Sequence, residues 1–133
     1  MKAAERFFDT NVLLYLLSAD ADRADRAEEL LAAGGVISVQ VLNEFASVSS
    51  RKLGMTMADI HEALSTVRAV CEVVPISEET HDLGFQIAER YGLSFYDAMI
   101  VASALLAGCG TLISEDMQDG QRFENRLVVS NPF

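Results

Sequence analysis

The chain has 133 residues, the size of one ordinary domain, and half of them are apolar, enough for a proper core. Its formal net charge is -10, from 20 acids against 10 bases, which argues against a generic nucleic-acid binder but not against a nucleic-acid enzyme, because bound cations reverse the sign of an acidic site. No apolar run reaches the length of a membrane span, and Met1 to Arg6 lack the apolar stretch of a secretory signal, so a cytoplasmic protein without a membrane partner is expected.

The elements alternate along the chain. Arg6-Phe7-Phe8 reads as a short strand ending at Asp9, and Thr10-Asn11 can cap a first helix, "VLLYLLS". A charged helix follows from about Ala21 to Ala33, stopped by Gly34-Gly35. "VIS" is a second strand, leading into a helix from about Val39 to Leu53 that Gly54 ends. Thr56 opens the next helix, with Asp59 three residues on in a capping-box arrangement. "EVVPI" is a third strand. Ser77 caps a helix reaching Tyr91, and Ser94 starts the apolar helix "FYDAMIVASALLAG". "GTLIS" is a fourth strand and "RLVVS" a short fifth. Cys71 and Cys109 lie far apart in apolar surroundings and read as reduced core thiols.

Strands alternating with helices imply an α/β fold with a mostly parallel sheet covered on both faces. In such sheets ligands bind beyond the carboxyl ends of the strands. Four acids stand near those ends: Asp9 after the first strand, Glu44 two turns into the helix after the second, Asp97 in the first turn after Ser94, and Asp116 just past the fourth strand. Asp116 belongs to the knot "SEDMQDG", which also holds Glu115 and Asp119. Each acid has a plain structural reading. Asp9 could help start a helix, Glu44 could be solvated, Asp97 stands where a capping box places an acid, and Asp116 could be a turn residue. Together they point elsewhere, because apolar surroundings are poor ground for an acid that is neither paired nor bound to metal. Clustered carboxylates repel, and an all-oxygen site suits Mg²⁺ or Mn²⁺, the ions of phosphoryl chemistry. Thr10, Asn11 and Ser114 could hold the carboxylates or a bound water. His61 and His81 sit on charged helices and read as surface residues, which argues against histidine acid–base chemistry.

These segments resemble the PIN-domain nucleases. "FFDTNVLLYLL" resembles that family's opening motif, "VLNEF" its second acidic motif, "LSFYDAMIVASALLAGC" its third and "GTLISEDMQDG" its fourth. The resemblance runs the length of the chain, in order. It implies a single PIN-like domain over residues 1–133, with a three-layer α/β/α fold around a short, mostly parallel sheet. It also implies metal-dependent RNA hydrolysis giving a 5′-phosphate and a 3′-hydroxyl. The family's acids fall on Asp9, Glu44, Asp97 and Asp116, where Asp9, Asp97 and Asp116 would hold Mg²⁺ or Mn²⁺ and Glu44 would complete the site directly or through water. Asp119 falls where some members add a further acid. Single-domain bacterial members of this size are mostly VapC-like toxins, homodimers held inactive by a small antitoxin that also binds operator DNA.

Arg51, seven residues after Glu44 on the same helical face, its neighbour Lys52, and Arg122 after the acidic knot are the candidate RNA contacts. "VLLYLLS" and Met55 to Val70 carry more apolar residues than one small domain covers, so pairing is expected to hide them. The excess negative charge predicts a basic inhibitor whose arginine takes the metal's place. Two other readings stand: a PIN-fold protein that only binds a partner, and an aspartyl-phosphate phosphatase of the haloacid-dehalogenase type. The second needs an acid two residues after Asp9, where this chain has Asn11.

Overall fold

The computed structural model describes residues 5–133. Most of the Met1 to Arg6 segment, read above as lacking a secretory signal, lies outside them. The elements in chain order are β1 (Arg6–Phe8), α1 (Thr10–Tyr15), α2 (Ala21–Ala32), β2 (Gly35–Ser38), α3 (Val39–Leu53), α4 (Met57–Val70), β3 (Cys71–Val74), α5 (Glu78–Tyr91), α6 (Phe95–Leu106), β4 (Thr111–Ile113), β5 (Arg122–Phe123) and β6 (Leu127–Ser130).

One six-stranded sheet carries the order β3-β2-β1-β4-β6-β5. All neighbours pair in parallel except β5 and β6. Helices α5 and α6 pack on each other, while α1 contacts α2 and α3, and α4 contacts α2 and α3. The two helix groups cover the sheet and make the three layers expected from the alternation. β1 is central, so Phe7 and Phe8 point to opposite faces and are both fully buried. Gly35 is required beside it: a Cβ there would stand 2.5 Å from the Phe8 ring and 2.7 Å from the Arg6 carbonyl oxygen.

The chain runs outward from β1 through β2 to β3, then returns to the other side of β1 as β4. The point where the strand order reverses therefore lies between β1 and β4, and crevices open at such points. Asp9 and Asp116 follow those two strands.

Several boundaries differ from the sequence reading. Asp9, not Thr10 or Asn11, is the N-cap of α1. β3 ends at Val74, because Pro75 has no N–H to give the ladder. β5 was not foreseen. The caps at Thr56, Ser77 and Ser94 form as expected, each hydroxyl accepting from the backbone N–H three residues on. Both cysteines are buried, and burial pushes the Cys71 thiol up to about 11, the behaviour of an inert thiol. Among the described residues no helix is long and apolar enough to cross a membrane.

The apolar residues of "VLLYLLS", expected to be a surplus that pairing hides, pack within the domain itself. In α1 and the two residues after it, Val12 and Leu13 are fully buried, and Leu14, Tyr15, Leu16 and Leu17 pack against the core. The fold itself covers them, because α1 lies between α2 and α3. Met57 and Val70 of α4 remain exposed, but the exposed aromatics are Phe85, Phe95 and Tyr96, on α5 and α6.

Candidate metal centre

The four acids line one cleft of about 310 Å³, together with Thr10, Asn11, Leu14, Ser47, Val48, Arg51 and Ile100. Each arrives on a different element. Asp9 ends β1, Glu44 projects from α3, Asp97 stands in the first turn of α6, and Asp116 follows β4. Glu44, Ser47, Val48 and Arg51 recur at helical spacing, so one stripe of α3 forms a wall.

Asp9 is the most deeply placed, with 5% of its surface exposed. Ser114 Oγ donates to its Oδ2 at 2.8 Å, the Thr10 N–H donates to its Oδ1 at 2.7 Å, and Asn11 Nδ2 approaches Oδ2 at 3.3 Å. Burial outweighs these bonds and pushes the carboxyl up to about 6, with Asp116 and Asp97 adding repulsion. Burial also raises Asp97, against a hydrogen bond from Ser94 and with repulsion from Asp116 and Glu44. The acids thus feel one another electrostatically.

Thr10, Asn11 and Ser114 each hydrogen-bond to one of these acids. Thr10 Oγ1 donates to Glu44 Oε1 at 2.6 Å. Asn11 Nδ2 donates to Asp116 Oδ2 at 3.0 Å, and its Oδ1 accepts the Glu115 N–H at 3.3 Å. Ser114 is fully buried between Asp9 and the Asp116 N–H, which donates to its Oγ at 3.1 Å. Gln40 was missed. Its Nε2 reaches Glu44 Oε2 at 3.5 Å and the Tyr96 carbonyl at 3.2 Å, tying α3 to the start of α6. Its place four residues before Glu44, on the same helical face, was the available signal.

Among the described residues no three acidic, histidine or cysteine side chains stand close enough to cage an ion as they are. The fit rests instead on donor chemistry. The cleft offers four carboxylates and no nitrogen or sulfur ligand, and it strains a buried Asp9 that a cation would relieve. That donor set suits Mg²⁺ or Mn²⁺.

The outer candidates divide. Arg51 lines the cleft, its Nε donating to Ser47 Oγ at 3.1 Å. Lys52 and Arg122 are exposed and line no part of it. Asp119 is turned away: it is exposed, and its Oδ1 accepts the Asn131 N–H at 2.8 Å. His61 and His81 are exposed, as expected. A second hollow of about 530 Å³ shares Glu44, Ser47 and Arg51 and continues to Ile76, Phe95 and Tyr96.

Fold and cleft together define an α/β protein with an acidic, all-oxygen crevice at the reversal point of its sheet. The family model of the PIN domain matches residues 6–119. The chain belongs to the PIN-domain family. No curated protein matches it. Among solved structures it is similar to a toxin–antitoxin complex from Klebsiella pneumoniae, at 25% identity and a TM-score of 0.68, covering 96% of this chain and 98% of that one. FitAcB from Neisseria gonorrhoeae shares the fold at 20% identity and a TM-score of 0.70, covering 96% and 97%. VapBC2 from Rickettsia felis, bound to a DNA fragment from its promoter, does so at 22% identity and a TM-score of 0.68, covering 95% and 97%.

Proposed function

We propose that this chain is a Mg²⁺- or Mn²⁺-dependent endoribonuclease, the toxin of a toxin–antitoxin pair. The observation that carries the reading is the convergence of Asp9, Glu44, Asp97 and Asp116 on one cleft of a PIN-family fold. A divalent ion there would activate water and neutralise the charge of the phosphate and the leaving oxygen. Asp9, Asp97 and Asp116 would hold it, with Glu44 completing the set. Thr10 keeps Glu44 aimed at the cleft, while Ser114 and Asn11 keep Asp9 and Asp116 there. Arg51 supplies the cleft's positive charge, suited to a phosphate oxygen. The neighbouring hollow continues the cleft from Ser47 toward Ile76, a route for the RNA strand.

RNA cleavage is expected with Mg²⁺ or Mn²⁺, to leave a 5′-phosphate, and to stop in chelator. Ca²⁺ should bind but support it poorly, because its longer, looser coordination positions water less well. Undiminished cleavage by pure protein in chelator would sink the metal mechanism. Metal binding without turnover on any structured RNA would favour a domain that only binds a partner.

The similarity to a toxin–antitoxin complex supports a small antitoxin as partner. The acidic cleft and net charge fit one that inserts an arginine. The proposal includes a homodimer, but on a different face from the one the sequence suggested. Phe85 is 61% exposed and Tyr96 70%. With His81 and Phe95 they form an edge-on ring cluster at centroid separations of 5.5–6.3 Å. Exposed aromatic patches of this kind mark interfaces. Sedimentation should show a dimer at micromolar concentration for wild type and a monomer for Phe85→Glu. A wild-type chain that stays monomeric refutes the dimer.

A further inference from the structure

The quoted knot of three acids resolves into three tasks. Asp116 faces the cleft, and Asp119 caps Asn131. Glu115 points the other way, into a clamp. Its Oε1 accepts from Arg23 Nη1 at 2.8 Å and from the Tyr15 hydroxyl. The Arg23 guanidinium lies 4.9 Å from the centre of the Tyr15 ring, and the Phe133 ring packs edge-on against that ring at 4.7 Å. Helices α1 and α2 thus meet at the carboxylate carried by the loop after β4, with Phe133 packed against Tyr15.

We propose that Arg23 and Tyr15, acting through Glu115, are positioning residues that hold Asp116 in the metal site, an inference that rests on the metal-nuclease reading above. Residues 114–116 form a short loop at the strand end. On its inner side Ser114 and Asn11 bind it, through Asp9 and through the N–H groups of Glu115 and Asp116. On its outer side the clamp grips the residue between them. Asp116 is itself exposed; Asn11 Nδ2 holds its carboxylate at 3.0 Å, but the like charges of Asp9 and Asp97 work against that bond and favour a swing out to water. Anchoring the adjacent residue opposes that swing. A displacement of about 1 Å is enough to spoil a coordination or reaction geometry.

The plain alternative is a surface ion pair that adds little to anything. Arg23 and Glu115 side chains are 39% and 25% exposed, and solvent-screened pairs of this kind contribute little to folding. The two readings differ in what moves. A simple ion pair shifts melting slightly and leaves metal affinity alone. A positioning clamp shifts metal affinity and leaves the melting of the metal-free chain nearly alone.

The experiment is Mn²⁺ titration calorimetry on the whole chain, with melting in chelator alongside, for wild type, Glu115→Gln, Arg23→Met and Arg23→Lys. About a tenfold weaker Mn²⁺ Kd is expected for Glu115→Gln and Arg23→Met, with metal-free melting close to wild type. Arg23→Lys should recover part of the affinity, because it keeps the charge but not the planar fork. A Mn²⁺ Kd within twofold of wild type in Glu115→Gln overturns the clamp, even if Arg23→Met fails to fold. Wild type that binds Mn²⁺ yet cleaves no RNA sinks the nuclease reading and leaves the clamp to be judged by Kd. Wild type that binds no Mn²⁺ overturns both.

Discussion

Asp97→Asn is expected to melt no lower than wild type in chelator, to gain little from Mn²⁺, and to cleave no RNA. The reasons lie in the two jobs available to residue 97. As a helix cap, the bond that matters runs from the Asp97 backbone N–H to Ser94 Oγ, at 3.3 Å. Asparagine keeps that N–H. What the substitution removes from the cap is a negative charge near a helix start, about 0.3–1 kcal/mol at an exposed site. Against this stands the strain of holding the charge where it is. Burial raises the Asp97 carboxyl, and Asp116 and Glu44 raise it further, so neutralising it relieves the metal-free protein. With metal the balance reverses. Wild type gains about 2.7 kcal/mol at a hundredfold excess over Kd, on the order of 10 °C of melting for a chain this size. The variant has lost one of the proposed ligands and should gain only a small part of that. The measurement is thermal melting in chelator and in Mn²⁺, with RNA cleavage beside it. A variant that melts lower in chelator but shifts with Mn²⁺ as wild type does would make Asp97 a cap and nothing more.

The elements that sequence revealed are those whose signals are local. The hydroxyl caps at Thr56, Ser77 and Ser94 each act within three residues. Gly54 and Gly92 end their helices with positive φ, where glycine has no penalty. The four cleft acids stood out because their segments are otherwise apolar, and the alternation of strands and helices sends strand ends to one edge. Missed features depend on distant partners. The β5–β6 hairpin turns through Glu124, Asn125 and Arg126, the first two at positive φ, a backbone that glycine and asparagine adopt most readily. Glutamate is a poor residue for that backbone. It is held there by Arg90, at 2.7 and 2.6 Å, and by the Tyr91 hydroxyl, at 2.8 Å. Asp119 misled for the same reason: its neighbours in sequence are acids of the site, but its partner is twelve residues on. Arg23 and Tyr15 find Glu115 across about a hundred residues, and no local pattern announces such a contact.

The metal-free stability of Asp9→Asn relative to wild type is expected to rise with pH, and wild-type metal affinity to rise with it. The Asp9 carboxyl is raised from 3.8 to about 6, chiefly by burial. A raised value means that the folded chain holds the proton more tightly than the unfolded one. The stability contributed by that proton is present below about pH 3.8 and is lost as pH rises through about 6. Roughly two units correspond to about 3 kcal/mol, all of it a penalty on the ionised, metal-free site at neutral pH. Asparagine carries no such penalty, though it surrenders an acceptor to Ser114 or Asn11 and so starts from a lower baseline at acid pH. In chelator the difference in unfolding free energy, variant minus wild type, should therefore climb between pH 4 and pH 6.5 and then level off. Metal binding follows the same group in the opposite sense. A cation must displace the proton, so below pH 6 affinity should fall by up to about tenfold per unit on account of Asp9 alone. The Mn²⁺-induced shift in melting should thus be small near pH 5 and full by pH 7. Denaturant unfolding of both proteins across that range, with and without Mn²⁺, measures each quantity. A difference that stays flat from pH 4 to pH 7 would mean that Asp9 is ionised at ordinary cost, and that its burial is offset by Ser114, Thr10 and Asn11 without help from a metal.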